Sequence, residues 1–404
     1  MTSSVTPDSV DAVYESTMSR VLTFILALAC GVVVANIYYV QPLVGLISRD
    51  FGMPVASAGL LVTLTQVGYA AGLVLVVPLG DIVENRRLIL ILLALLIVAL
   101  VLAAVAPSTP WFLAASLLIG LGACTVQIIV PLAGHLAPDA SRGRVVGNVV
   151  SGLLFGIMLS RPIASFVAHF LHHRSVFEVS AVAVALLFLL LLRALPVRRP
   201  AGMPYTRALR TLGPLLLNTA VLHRRGGYQA ALFGAFSLFW TAVPLLLEGP
   251  RFGFSQIGIG LFALVGAAGA IVSPYAGHAA DRGHTHLVTG LSLAGGALAL
   301  LVALLGGVLT SWPLLVVAAL LLDMATAASL VVGQRAIFAI GADVRGRLNG
   351  LYLALFFVGG AVGSLVSGYA FALGGWSAVS LVGLAFPLGA LAYYATEKRP
   401  GRFS

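Results

Sequence analysis

The chain has 404 residues, of which 60% are hydrophobic and 9% charged, with a mean hydropathy of +1.06 and a formal net charge of +10. Soluble proteins carry roughly 25% charged residues, so this sequence lacks the polar surface to coat a water-soluble globule, and lipid is the solvent that it fits. The basic excess forms no stripe or tail of the kind that binds nucleic acid; it sits in short gaps between apolar segments, where it reports membrane topology and not a partner.

The first nineteen residues hold Asp8, Asp11 and Glu15 and no basic residue, the reverse of a cleaved leader. The first apolar run is therefore expected to be retained. Crossing a bilayer as helix takes about 20 apolar residues, and twelve such segments follow: roughly 21–47, 55–80, 88–106, 110–136, 145–170, 175–196, 227–248, 256–280, 287–308, 312–340, 346–371 and 376–395. Alternate gaps hold Arg86 with Arg87, Arg142 with Arg144, six Arg in the middle segment, Arg282, Arg345 with Arg347, and finally Lys398, Arg399 and Arg402; the opposite gaps hold only Arg49, Arg174 and Arg251. Basic residues stay on the cytoplasmic side during insertion, which predicts both termini inside and an even number of spans. Cys30 and Cys124 fall inside apolar segments with no ligands nearby, so neither a disulfide nor a metal site is expected.

The segment 197–226 interrupts the rhythm with Pro200, Pro204, Pro214 and six Arg, and is read as a cytoplasmic linker. Within it, 212–221 is apolar but too short to span, and is expected to lie along the membrane surface or beneath the bundle. The predicted organisation is a cytoplasmic segment 1–20, a six-helix bundle 21–196, the linker, a second bundle 227–395 and a cytoplasmic tail 396–404. The two bundles repeat each other. Arg142-Gly143-Arg144, Gly147 and Gly156 recur 203 residues later as Arg345-Gly346-Arg347, Gly350 and Gly359, while Asp81 is echoed 200 residues later by Asp281.

These residues make the chain similar to the major facilitator superfamily, and within it to the drug:proton antiporter branch of bacterial efflux proteins. The resemblance covers nearly the whole chain. That branch carries a Gly-x-x-x-Asp-Arg-x-Gly-Arg-Arg type loop between spans 2 and 3; Asp81 and Arg86 match it, Arg87 stands one place beyond, and Val77, Ile82, Glu84 and Asn85 depart from it. The second copy matches at Gly277, Asp281 and Arg282. A carboxylate at a helix end can pair with Arg of a neighbouring helix, so these residues are read as a gating latch that breaks as the halves rock, the alternative being loops that only set topology. The run Ala35-Asn36-Ile37-Tyr38-Tyr39-Val40-Gln41-Pro42 also resembles the first helix of this branch, which implies a substrate-cavity role for Asn36, Tyr39 and Gln41; helix packing is the alternative. Of the branch's Gly-x-x-x-Gly-Pro-x-x-Gly-Gly pattern in span 5, only Gly152 and Gly156 match, with Ile157 in place of Pro.

Two ionisable residues lie deep inside spans, where each costs about 2.5 to 3.5 kcal/mol on insertion scales. Arg161 is about 24 Å into span 5 and Asp323 about 16 Å into span 10, at 1.5 Å per residue. The repeat maps Arg161 onto Ser364 and Asp323 onto Gly120, so neither charge belongs to the shared scaffold. Asp323 is read as a proton-carrying carboxylate, or else as a structural partner for Gln334, Arg335 or a backbone amide. Arg161 is read as a ligand for an anionic group or for a carboxylate across the cavity, or else as a snorkelling side chain. Phe233, Phe236 and Trp240 share one face of span 7 and, with Tyr69 and Phe239, would line an apolar cavity or simply meet another helix or lipid. His135, His169 and His278 sit near span ends and are given no chemistry.

No Gly-x-x-x-x-Gly-Lys-[Ser/Thr] loop is present. An ion gradient is therefore the expected energy source. With the resemblance, this implies an all-α integral membrane protein of the inner membrane that moves a small molecule against protons by alternating access, without cofactor or metal and as a monomer. A carrier for sugars, amino acids or organic anions is the alternative within the class. A membrane-embedded enzyme would need clustered acid, base or metal groups, and a non-transporting sensor would need no mid-membrane charge.

Overall fold

A computed structural model describes residues 19–200, 204–341 and 344–397; the expectations placed on residues 1–18 and on Lys398, Arg399 and Arg402 lie outside the described residues. The described chain is helical throughout. Ten stretches are long and apolar enough to cross a membrane: Val55–Asp81, Asn85–Ala104, Thr109–Leu136, Arg142–Phe170, His173–Ala194, Ala220–Glu248, Gln256–Asp281, Thr285–Val308, Trp312–Phe338 and Arg345–Ala395. The last has 51 residues and breaks at Gly374 and Gly375, where φ +60° at Gly375 is a conformation that an L side chain resists, so it makes two crossings. The first crossing is assembled from Arg20–Ala35, a tightened turn with Gln41–Leu43 in 3₁₀ form, and Val44–Asp50. Spans 1 to 12 below refer to these segments in chain order.

Two spans in each half meet through the same small-residue seam. Gly156 of span 5 lies against the Gly31 backbone of span 1, and its repeat Gly359 of span 11 lies against the Ala230 backbone of span 7. A Cβ on either glycine would collide with a carbonyl oxygen, so the pair packs backbone to backbone, the mode expected where lipid supplies no hydrophobic drive. Outward faces are apolar: Leu291, Leu298 and Leu305, seven residues apart, form an exposed stripe on span 9. Span 7, by contrast, is buried along most of its length.

Two boundaries differ from the sequence reading. The linker contains a helix, Tyr205–Asn218, held beneath the bundle by the Tyr205 hydroxyl donating to Leu75 O (2.7 Å) and by Arg347 donating to Thr211 Oγ1 (2.8 Å). Span 7 begins at Ala220, so Arg224 and Arg225 belong to its first turns. Arg225 pairs with Glu397 (2.8 Å) and donates to Thr289 (2.9 Å), while Arg224 donates to Tyr393 O (2.7 Å), which is why two cations do not end the helix there.

At the end of the bundle away from the linker the two halves are closed. Arg49 of span 1 pairs with Glu248 of span 7 (2.9 Å), and Gln256 donates to the other oxygen of that carboxylate (2.5 Å). Gly59 lies on the Ser364 carbonyl, and Gly260 lies against Ser165 and the Pro162 carbonyl, so span 2 seals on span 11 and span 5 on span 8. Towards the linker the halves part around a cavity of about 660 Å³. The fold is thus open at the linker end and shut at the far end.

Candidate functional site

Arg161 lies in the seam between the halves, 2% exposed. Its Nε donates to Gln41 Oε1 of span 1 (2.7 Å), and its guanidinium carbon stands 4.4 Å from the Trp240 ring centre, 5.2 Å from Phe236 and 5.2 Å from Tyr38. Three aromatic faces thus share one buried cation, an arrangement worth roughly 2 kcal/mol or more per desolvated contact. Asp323 of span 10, 6% exposed, approaches from the other half. A Cβ placed on Gly266 of span 8 would be 3.0 Å from Arg161 Nη1 and 3.7 Å from Asp323 Oδ1, which puts the two charges within about 7 Å of each other. They make no ion pair among the described residues. Gln41 Nε2, Arg161 Nη2 and Asp323 Oδ2 are buried without a partner among the described residues, and the Trp240 N–H faces the Asp323 carboxylate.

The internal repeat supplies a counterpart to this site. Ser364, the repeat of Arg161, shares its seam with Gln66, which stands on span 2 where Gly266 stands on span 8, and with Ser237 of span 7. There Gln66 Nε2 donates to Ser237 Oγ (2.8 Å), Ser364 reaches Gln66 Oε1 (3.5 Å), and Thr63 and Ser364 share a hydrogen bond of 2.9 Å. The counterpart is neutral and filled by its own side chains. At the charged site Gly266 replaces the glutamine, the Arg161 guanidinium lies where its side chain would start, and the space left beside Arg161 and Trp240 is about 10 Å³.

An aromatic layer separates the charged group from the cavity. Gln127, on the cavity wall, donates to the Tyr69 hydroxyl (3.0 Å); Tyr69 packs on Phe357 (4.3 Å), Phe233 stacks on Phe356 (3.6 Å) and on Phe236 (5.2 Å), and Phe236 faces Arg161. Among the described residues lining the cavity are Arg198, Arg345, Arg347 and Asp81.

The sequence pattern of the Major Facilitator Superfamily matches residues 26–300 and 227–403. The chain belongs to this superfamily. It is 38% identical over 372 residues to the uncharacterized transporter YgaY of Escherichia coli O157:H7, covering 92% of this chain and 94% of that one. It is 34% identical to the probable transporter SCO4007 of Streptomyces coelicolor, covering 95% and 89%. Among solved structures it is similar to the peptide transporter POT in complex with alafosfalin (TM-score 0.76, 13% identity, 97% and 98% covered) and to an inward-facing, unoccupied bacterial homologue of the human lysosomal transporter Spinster (TM-score 0.72, 15% identity, 96% and 99% covered). A transporter with the twelve-helix superfamily fold follows from these relatives.

In this superfamily member the residues singled out in the sequence divide. Arg161, Asp323, Gln41, Phe236 and Trp240 come together. Asn36 and Tyr39 do not: Asn36 accepts from Ser180 of span 6 (2.6 Å) and donates to Val32 O (2.8 Å), and Tyr39 lies beside the same Ser180, so both belong to packing within the first half. Phe239 turns away from the site onto Trp376 (5.6 Å). In this state, open at the linker end, the loop residues make no ion pair between the halves among the described residues. Asp81 stands exposed at the cavity wall without an ion pair among the described residues, Arg86 donates to Leu192 O (2.5 Å), and Arg87 and Arg282 are exposed. Asp281 pairs with Arg335 of span 10, inside one half, where it cannot latch the two halves together. The place of the missing loop arginine is taken by Arg198, which donates to Asn85 (2.8 Å) and binds the linker to loop 2–3.

Gly266 and Tyr38 are site residues that the sequence reading passed over. It also passed over Asp50, His172 and His173, the group among the described residues whose ligand atoms all lie within 4.8 Å of one another. Arg174 already holds the Asp50 carboxylate at 3.0 Å, which makes that group a poor cation site.

Proposed function

We propose that this transporter is proton-coupled, with Asp323 as the group that carries the proton, and that it moves small, largely apolar molecules by rocking its two halves about the seam that holds Arg161. What carries the reading is a buried carboxylate with an unpartnered oxygen, set opposite a cation of the other half, in a position that the internal repeat leaves uncharged. The aromatic layer offers an adaptable apolar surface, and the resemblance to the drug:proton antiporter branch favours efflux of drug-like or amphiphilic compounds. The arginine distribution supports a topology with both termini inside, and the resemblance favours the plasma membrane of a bacterial cell. Monomeric operation suffices, since both sides of the site come from one chain.

The test is growth of an efflux-deficient bacterium on a panel of toxic cations, anions, sugars and antibiotics, comparing wild type with Asp323→Asn at matched expression. Protection by wild type alone supports export coupled through Asp323. If the variant protects equally, with unchanged pH dependence of transport, Asp323 carries no proton. A second reading, a carrier for organic anions, is favoured by one observation: Gln41 Nε2 and Arg161 Nη2 are buried nitrogen donors without acceptors.

A further inference from the structure

We infer that Gln41, Arg161 and Trp240 form a subsite for the carboxylate, or similar single-charge anion, of a substrate with an aromatic body, and that Asp323 competes with this anion for Arg161. The inference rests on proton coupling through Asp323 and on the organic-anion reading; a proton and an anion that bind together give symport, the opposite sign to efflux against protons.

The first argument is the inventory of unfilled groups. Two donors, on Gln41 Nε2 and Arg161 Nη2, are buried without acceptors on side chains that are hydrogen-bonded to each other, and a cation is among them, while the Trp240 N–H beside them faces Asp323. A buried donor left unpaired costs about 1 to 3 kcal/mol, more when charged. Such donors, one of them on a cation, ask for an acceptor with more than one oxygen and a negative charge, which a carboxylate supplies and an amine cannot. The second argument is the neutral counterpart. At Gln66, Ser237 and Ser364 the same scaffold satisfies itself with side-chain hydrogen bonds. The unpaired donors at the charged site are therefore a property of its residues, above all of Gly266, and not of the fold; the space beside Arg161 and Trp240, about 10 Å³, takes a carboxylate only once the halves move apart. The third argument is the surroundings. A carboxylate seated on Arg161 would direct its body into the layer of Phe233, Phe236, Phe356 and Phe357, and the described lining of the cavity on the far side of that layer includes Arg198 and Arg345.

The coupling follows from the geometry. The charged and titratable groups that face Asp323 among the described residues are Arg161 from span 5 and Tyr38 from span 1, with the Trp240 N–H from span 7 beside it. An ionised Asp323 within about 7 Å of Arg161 already neutralises the guanidinium and repels a second anion. Adding a proton to Asp323 removes that anion and frees Arg161 and Trp240 for the substrate. Proton and substrate anion then bind together, and by linkage each strengthens the other.

Thermal stabilisation of the full chain in detergent tests this, with benzoate, cinnamate and indole acetate against their cationic matches benzylamine, cinnamylamine and tryptamine. The acids should stabilise and the amines should not. Affinity for the acids should rise about tenfold for each pH unit lowered while one proton is taken up. Arg161→Gln and, independently, Gly266→Gln, which copies the neutral counterpart, should lose the acid response. Asp323→Asn should bind the acids at neutral pH as tightly as wild type does in acid, with no pH dependence. Stabilisation by the amines, no response to any acid, retention of the response in Arg161→Gln, or weaker acid binding in Asp323→Asn would each overturn the inference. Proton flux in proteoliposomes separates the two levels. Acid binding without substrate-driven proton movement leaves the subsite standing and removes proton coupling; amine-driven proton movement keeps the coupling and removes the anion subsite.

Discussion

Glu248→Ala should unlock the far end of the transporter. The carboxylate, 12% exposed, accepts from Arg49 across the seam at 2.9 Å and is held in place by Gln256 at 2.5 Å within its own half. A hydrogen bond to a charged group contributes about 1.5 to 3 kcal/mol. Arg49 is 63% exposed, so solvent screening reduces the closing contribution to about 1 kcal/mol. That value corresponds to about a fivefold rise in the ratio of far-end-open to far-end-closed molecules. Ser165 reports the ratio, because it is buried only while Gly260 of the other half lies against it. In a Ser165→Cys background, labelling by a membrane-impermeant maleimide should be about five times faster with Glu248→Ala, since a slow reagent reads the open population. Both native cysteines are buried and add little background. An unchanged or slower rate would mean that the glycine seams alone set the closure and that the ion pair is only a surface ornament.

Gly156→Val should lower the unfolding temperature through an overpacking penalty of about 1 to 3 kcal/mol, because its Cβ meets the Gly31 carbonyl; Gly147→Ala, with nothing within 4 Å, should leave that temperature unchanged or raise it. Asp281→Asn should cost at most about 1 kcal/mol and leave Ser165→Cys labelling unaltered, since its partner Arg335 is exposed and in the same half; faster labelling would restore the latch reading. Tyr69→Ala should breach the aromatic layer beneath the charged site, so that a cysteine in place of Ser237, buried in the intact protein, becomes reactive from the linker side; a cysteine that stays inert would place the barrier elsewhere.

Segment length and arginine spacing made the twelve-span plan legible, because a lipid-spanning helix has a fixed length and few places to put a charge. Span 7 was read seven residues short because Arg224 and Arg225 look like an ending, whereas Thr289, Glu397 and the Tyr393 carbonyl absorb both cations. Arg161 and Asp323 stood out by the energetic cost of burying them, but nothing in the chain says that spans from opposite halves bring them together. The face of span 1 was misjudged for a local reason. Helical phase is lost where residues 36–43 tighten into turns and a 3₁₀ segment, so Asn36 and Tyr39 point to span 6 while Tyr38 and Gln41 point to Arg161. Gly266 carries no chemical signal of its own. Its meaning appears only against Gln66, which fills the equivalent space in the other half.

The contrast between the two seams explains how one scaffold can be both tight and mobile. Opening the far end must separate Gln66 from Ser237 and Thr63 from Ser364, neutral hydrogen bonds that each contribute about 1 kcal/mol and are readily exchanged for water. The charged seam behaves differently. Arg161 keeps Gln41 within its own half, so it travels with spans 1 and 5, while Asp323 and Trp240 travel with the second half. Pulling an ionised Asp323 away from Arg161 in a dry interface would leave two uncompensated charges, a penalty of several kcal/mol per ion that no neutral contact offsets. Under the reading proposed above, the proton on Asp323 and the anion on Arg161 remove that penalty together: the carboxyl becomes neutral, the guanidinium keeps a counter-ion, and the halves part without stranding a charge. An empty, ionised site keeps its two halves bound to each other. Coupling in such a device needs no separate gate, because the pair that recognises the substrate is also the pair that holds the halves closed.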